Sequence, residues 1–167
     1  ADARKGGTSG CVETGAFGNE AYILTGYFNL PKLLELALYN GYDYMTGTQL
    51  GPETGYGYDF TNYEELWEAY CAQVRYFLDI KIRGSLVIES IYAREMPVPF
   101  LSVLTNDCIS RGMDYNAGGA RYNTSYIQGV GIGTITDCLA AIKYQVFDRA
   151  RFSMKELMDA LLADYEG

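Results

Sequence analysis

The chain has 167 residues, 49% of them hydrophobic, with 19 glycines and a formal charge of −8 from 13 basic and 21 acidic side chains. That length and apolar content suffice for one ordinary domain with a core, and the acidic balance excludes a surface built to hold nucleic acid or an anionic membrane. Histidine is absent, which removes the commonest general base and the usual zinc ligand, so proton transfer in this chain falls to carboxylates, Lys, Tyr or Cys. No apolar run reaches the length of a membrane span, and the opening Ala1-Asp2-Ala3-Arg4-Lys5 is not a signal peptide.

In chain order, residues 6–15 come first, with four glycines that read as a tight loop. They carry Cys11 and Glu13, which in an extended loop point to the same side and address one small substrate together. On composition alone a small buried Cys beside a solvated Glu is the commoner outcome. Residues 21–28 are apolar without a clean period, and their secondary structure stays open. A helix follows, with Pro31 in its first turn, Leu33, Leu34, Leu36, Ala37 and Leu38 as apolar content, and Asn40-Gly41 as a left-handed end. Residues 42–60 form a long irregular excursion, placed at the surface or along a subunit contact.

Thr61 opens the longest helix through a capping box to Glu64, and Tyr63, Leu66, Trp67, Tyr70, Val74, Phe77 and Leu78 recur at helical spacing as a core stripe. Gly84 kinks or ends this helix before the pattern resumes at residues 86–92, and Pro97 and Pro99 break it. Residues 100–109 read as a buried strand or a helical turn, 114–119 as a turn, and 120–128 as extended chain. Gly129-Val130-Gly131-Ile132-Gly133 leads into a helix that Thr134 caps. Its spacing is neither a Walker nor a dinucleotide fingerprint, so close backbone packing explains these glycines better than a phosphate does. Ile135, Cys138, Leu139, Ile142 and Val146 form that helix's inner stripe. A last helix starts at Ser153 with Glu156 and places Met154, Leu157, Met158, Leu161 and Tyr165 on one face. The four cysteines, at 11, 71, 108 and 138, form no CxxC pair and read as reduced thiols.

Two runs carry a resemblance. Gly10-Cys11-Val12-Glu13 resembles the active-site loop of glycyl radical enzymes, the pyruvate formate-lyase-like superfamily, in their dehydratase and lyase branch. Gly118-Gly119-Ala120-Arg121-Tyr122-Asn123, then Gln128-Gly129-Val130-Gly131-Ile132 and Asp137-Cys138-Leu139-Ala140-Ala141-Ile142-Lys143, resemble a second signature of the same family in the expected order. The resemblance implies an α/β fold: part of a ten-stranded α/β barrel, mainly helical here, with a Cys finger loop and a few strands. It also implies that residues 1–167 are an internal segment of one large catalytic domain. Residues 1–28 would be the Cys loop with the stretch after it, and 29–167 a mainly helical barrel segment.

Choline lyase and glycerol dehydratase carry a proline after the loop Glu, where this chain has Thr14. With Gly15-Ala16-Phe17-Gly18-Asn19-Glu20-Ala21-Tyr22 and the later run 120–128, the wording is most similar to the branch that dehydrates trans-4-hydroxy-L-proline. By motif, the resemblance makes Cys11 the thiyl radical carrier, Glu13 the base, and Tyr27, after Gly26, a substrate-contacting residue whose alternative is a core tyrosine. The implied reaction gives 1-pyrroline-5-carboxylate and water. Other glycyl radical dehydratases or lyases, or a purely structural piece, are the competing readings.

The resemblance further implies no cofactor bound in this segment, and a glycyl radical on a loop outside these residues. A radical S-adenosylmethionine iron-sulfur activase would install that radical. Implied partners are a small hydroxyproline-like substrate, the remainder of the enzyme chain, the activating enzyme and a second copy in a homodimer, without nucleic acid or membrane. The implied setting is the cytoplasm of an anaerobic bacterium.

Overall fold

The computed structural model describes residues 2–9 and 13–166. The elements run β1 (Gly6–Ser9), β2 (Glu13–Ala16), β3 (Glu20–Asn29), α1 (Leu30–Leu38), β4 (Tyr42–Asp43), β5 (Thr48–Gln49), α2 (Tyr63–Glu95), α3 (Pro99–Leu104), α4 (Cys108–Arg111), β6 (Tyr122–Val130), α5 (Ile132–Ile142) and α6 (Met154–Leu162). Short 3-10 turns lie between some of them, and a π-helical turn, Lys143–Asp148, continues α5. The architecture is mixed α/β and mainly helical. The strands pair two by two, β1 with β2, β3 with β6 and β4 with β5. The chain divides into two compact units, residues 1–26 with 82–128, and residues 27–81 with 129–167.

In the second unit, α1 forms because its ends are closed and its body is apolar. The Asn29 side chain accepts from Lys32 N at 3.3 Å, Pro31 sits in the first turn, and Asn40 and Gly41 take φ of 55° and 80°. Gly41 N then reaches back to the Leu36 carbonyl at 2.6 Å, the bond of a left-handed helix end. Leu33, Leu34, Leu36, Ala37 and Leu38 are buried with Leu66, Ala69 and Tyr70 of α2, Ile135, Leu139 and Ile142 of α5, and Met154 and Met158 of α6. Each such Leu, Ile or Met side chain withdrawn from water is worth about 1.5–3 kcal/mol before entropy is counted. Ile135, Leu139 and Ile142 of α5 and Met154 and Met158 of α6 are therefore buried within this same chain, while Leu161 of α6 and Tyr165 beyond its end stay 38% and 70% exposed. Ser153 and Glu156 make the expected capping box of α6.

The start of α2 lies one residue later than the sequence suggests. Asn62 Oδ1 accepts from Glu65 N at 3.0 Å, while Glu65 Oε2 accepts from Thr61 N at 2.6 Å, so Glu65 replaces Glu64 as the reciprocal partner. Gly84 does not end this helix, which runs for 33 residues. Its stripe is buried as expected at Leu66 and Tyr70 and partly buried at Tyr63, Val74 and Phe77, but Trp67 is 45% exposed. Gln73 is fully buried, and its amide nitrogen donates to Pro52 O at 2.8 Å, which pins the excursion of residues 42–60 against α2. That excursion is partly ordered: Asp43 is buried, and its carboxylate accepts from Lys32 Nζ at 2.5 Å and Thr46 Oγ1 at 2.8 Å.

Helix α5 is capped by Gly131, at φ 83°, and not by Thr134. A β-carbon on Gly131 would lie 2.6 Å from the Pro31 ring, so close packing does explain this glycine. Cys71, Cys108 and Cys138 are free thiols.

In the first unit, residues 100–109 hold the end of α3 and the start of α4 and no strand, and of them only Thr105 and Cys108 are buried. Phe100 is 80% and Ile109 71% exposed, because α3 and α4 are too short to turn every apolar position inward. Cys108 packs with Ala21, Tyr115 and Ala120 in a small core. Asp114 closes the turn before β6 by accepting from Asn116 N at 2.9 Å, Val98 N at 3.0 Å and Ser102 Oγ at 2.7 Å. No helix among the described residues is long and apolar enough to cross a membrane.

Candidate active site

Residues 6–9 and 13–16 of the glycine-rich stretch pair as an antiparallel ladder where the sequence suggests a bare loop. Gly6 pairs with Ala16, Gly7 with Gly15, Thr8 with Thr14 and Ser9 with Glu13. Glycine weakens a strand by entropy, but here the missing side chains make room. A β-carbon at Gly7 would touch the Phe17 ring at 3.0 Å, and one at Gly15 would collide with the Tyr22 hydroxyl. Cys11 lies outside the described residues, in the sequence between the last paired residues, Ser9 and Glu13. Glu13 is half-buried at the rim of the ladder.

Around the base of the hairpin the first unit gathers polar groups. Glu20 Oε2 accepts from Ala16 N at 2.9 Å, and Glu20 Oε1 accepts from Thr124 Oγ1 of β6 at 2.6 Å. The Tyr126 hydroxyl donates to the Thr14 carbonyl and lies 3.4 Å from Glu20 Oε1. Burial raises the Tyr126 phenol above its ordinary pKa, as do the Glu20 carboxylate beside it and, more weakly, Glu13. The Tyr126 ring lies against Tyr22, centroids 5.6 Å apart, and the Tyr115 hydroxyl oxygen accepts from Tyr22 N at 2.6 Å.

The approach to β1 is held by charge. Arg121 Nε donates to Asp107 Oδ2 at 2.9 Å and another guanidinium nitrogen donates to Asp2 Oδ2 at 3.3 Å, while the Tyr122 hydroxyl donates to Asp2 at 3.0 Å. The Tyr122 hydrogen bond, with Arg121 adding to it, holds the Asp2 carboxyl below its usual range, and the Arg121 hydrogen bond does the same for Asp107. Asn19, almost fully buried, accepts from Asn106 Nδ2 at 2.7 Å and fixes the turn that joins β2 to β3.

Tyr27 belongs to the second unit and is 66% exposed, so within this chain it is not a core tyrosine. An apolar cavity of about 530 Å³ in that unit, lined by residues such as Leu34, Leu38, Cys138 and Leu161, includes neither Glu13 nor Tyr27. Among the described residues no three His, Cys, Asp or Glu side chains come together as a metal site. The polar groups that hold the hairpin were not singled out from sequence. The signal available was Arg121-Tyr122-Asn123-Thr124-Ser125-Tyr126, read there for its wording alone.

A glycine-lined ladder with Glu13 at its rim and a Cys between its strands in the sequence, on a mixed α/β segment, points to a class. Residues 1–167 match the family described as pyruvate formate lyase-like, and the chain belongs to it. More particularly, it is 61% identical over 166 residues, 99% of its length, to trans-4-hydroxy-L-proline dehydratase of Clostridioides difficile. It superimposes with a TM-score of 0.95 on the crystal structure of hydroxyproline dehydratase from that organism with trans-4-hydroxy-L-proline bound, covering 99% of this chain and 21% of that one. The B12-independent glycerol dehydratase of Clostridium butyricum is 36% identical with a TM-score of 0.86, over 98% of this chain and 21% of that one. The (2S)-3-sulfopropanediol dehydratase of Klebsiella oxytoca is 34% identical over 95% of this chain and 19% of its own. The chain spans about a fifth of the length of the curated relatives it matches.

Proposed function

We propose that this chain is the Cys-loop segment of a glycyl radical dehydratase that converts trans-4-hydroxy-L-proline to 1-pyrroline-5-carboxylate and water. The observation that carries the reading is the hairpin itself, with Glu13 paired at its rim two residues after Cys11, in a chain 61% identical to a hydroxyproline dehydratase. In the whole protein the segment belongs to a ten-stranded α/β barrel that keeps water and stray hydrogen donors from the loop.

The glycyl radical, on a glycine elsewhere in the protein and made by an iron-sulfur activase, supplies the unpaired electron. Cys11, a thiyl once its own S–H hydrogen has passed to that glycine, takes a hydrogen atom from the ring carbon beside nitrogen, re-forming S–H and leaving a carbon radical. That radical acidifies a neighbouring proton. Glu13 accepts a proton and returns it to the adjacent hydroxyl, which departs as water when its C–O bond breaks. Cys11 gives the hydrogen atom back, so sulfur and substrate end with no net change in electron count. Tyr27 contacts the substrate. The enzyme works in the cytoplasm of an anaerobe, as a homodimer.

The test uses the complete, anaerobically activated enzyme carrying Cys11→Ser. The glycyl radical signal should persist and turnover should vanish, because an O–H bond is too strong for the radical to open. Dehydration of hydroxyproline by this variant would overturn the reading.

A further inference from the structure

We propose that Glu20 is a positioning residue for Cys11 and Glu13, clamping the hairpin that carries them to strand β6. The inference rests on the functional reading above. Its observation is the division of labour in one carboxylate. Oε2 accepts from Ala16 N, the last residue of β2, and Oε1 accepts from Thr124 Oγ1, 104 residues away in β6. A turn-closing acid needs only the first of these bonds. The second ties a two-stranded ladder, which alone is marginal in water, to a distant strand.

The Tyr126 hydroxyl adds a parallel tie two residues along β6, donating to Thr14 O in the residue next to Glu13. Gly15 makes the arrangement possible, since a side chain there would occupy the space that Glu20 Oε2 and Tyr22 fill. Hydrogen-atom transfer falls off steeply with donor-to-acceptor distance, so a thiol on a loose hairpin loses rate without losing substrate affinity.

The experiment compares the complete activated enzyme with Glu20→Ala and Thr124→Val. Both should keep the parent's glycyl radical signal and a KM within about twofold, while kcat falls by up to about 10²-fold. Amides of residues 13–16 should exchange faster with solvent while the rest of the protein keeps its protection. Glu20→Gln, which still presents one accepting oxygen, should fall between parent and Glu20→Ala.

Parent-level kcat in Glu20→Ala, or a loss of radical yield together with protection throughout the protein, would overturn the proposal, the latter by making Glu20 generally structural. Activity in Cys11→Ser would remove the reading beneath it. The exchange measurement separates the two failures, because parent-level exchange at residues 13–16 refutes the clamp whatever the activity.

Discussion

Gly15 lies flush against the Tyr22 hydroxyl: a β-carbon added there would collide with that oxygen and stand 2.5 Å from Glu20 Oε2. The Tyr22 hydroxyl is itself buried and has no hydrogen-bond partner among the described residues. Gly15→Ala should therefore cost about 1–3 kcal/mol as an overpacked site. A lowered thermal midpoint of the complete protein, with weakened turnover, is the expected result, and an unchanged midpoint would contradict it.

Glu13→Gln preserves size and most hydrogen bonding but accepts no proton at neutral pH. Dehydration should fall by at least the roughly 10²-fold typical of a lost general base, with the glycyl radical retained. Steady-state kinetics beside the radical signal decides this. Near-parent turnover would assign the proton to another group.

Tyr27→Phe removes only a hydroxyl from a side chain that is 66% exposed in this chain. Loss of one hydrogen bond to substrate, about 1 kcal/mol, should raise KM about fivefold. Thermal stability should stay within about 0.5 kcal/mol of parent. Equal KM values would take Tyr27 out of the substrate site.

Asp43 predicts an acid response. The Lys32 ammonium, helped by the Thr46 hydroxyl and Met45 N–H and opposed by burial, lowers its carboxyl from 3.8 to about 2. A depressed carboxylate contributes stability that is complete above its unfolded value and lost as pH falls through the folded one. The difference in stability between parent and Asp43→Asn should hold from neutral pH to about 4 and vanish by about 2. Denaturant unfolding at a series of pH values tests this, and a difference independent of pH would refute the ion pair as its source.

Elements whose signals are local were legible in the sequence. Asn40-Gly41 and the Ser153/Glu156 box marked helix ends, because capping uses side chains and backbone a few residues apart. The hairpin of residues 6–16 was not legible as strands. Four glycines argue against a ladder locally, and only the close approach of Phe17 and Tyr22 shows why glycine is required. Residues 100–109 misled in the other direction, since their apolar character implies burial and the described chain leaves Phe100 and Ile109 exposed. In the site, Cys11 and Glu13 were visible as a motif. Glu20, Thr124 and Tyr126 were not, because their meeting depends on which strands pair.

The 104-residue interval between Glu20 and Thr124 also orders events at the ribosome. At about 5–20 residues per second, the nascent β1–β2 ladder waits on the order of 5–20 s before β6 is made and can secure it. Through that interval Glu20 has only its local bond to Ala16 N to make, and its second bond to Thr124 waits on the arrival of β6.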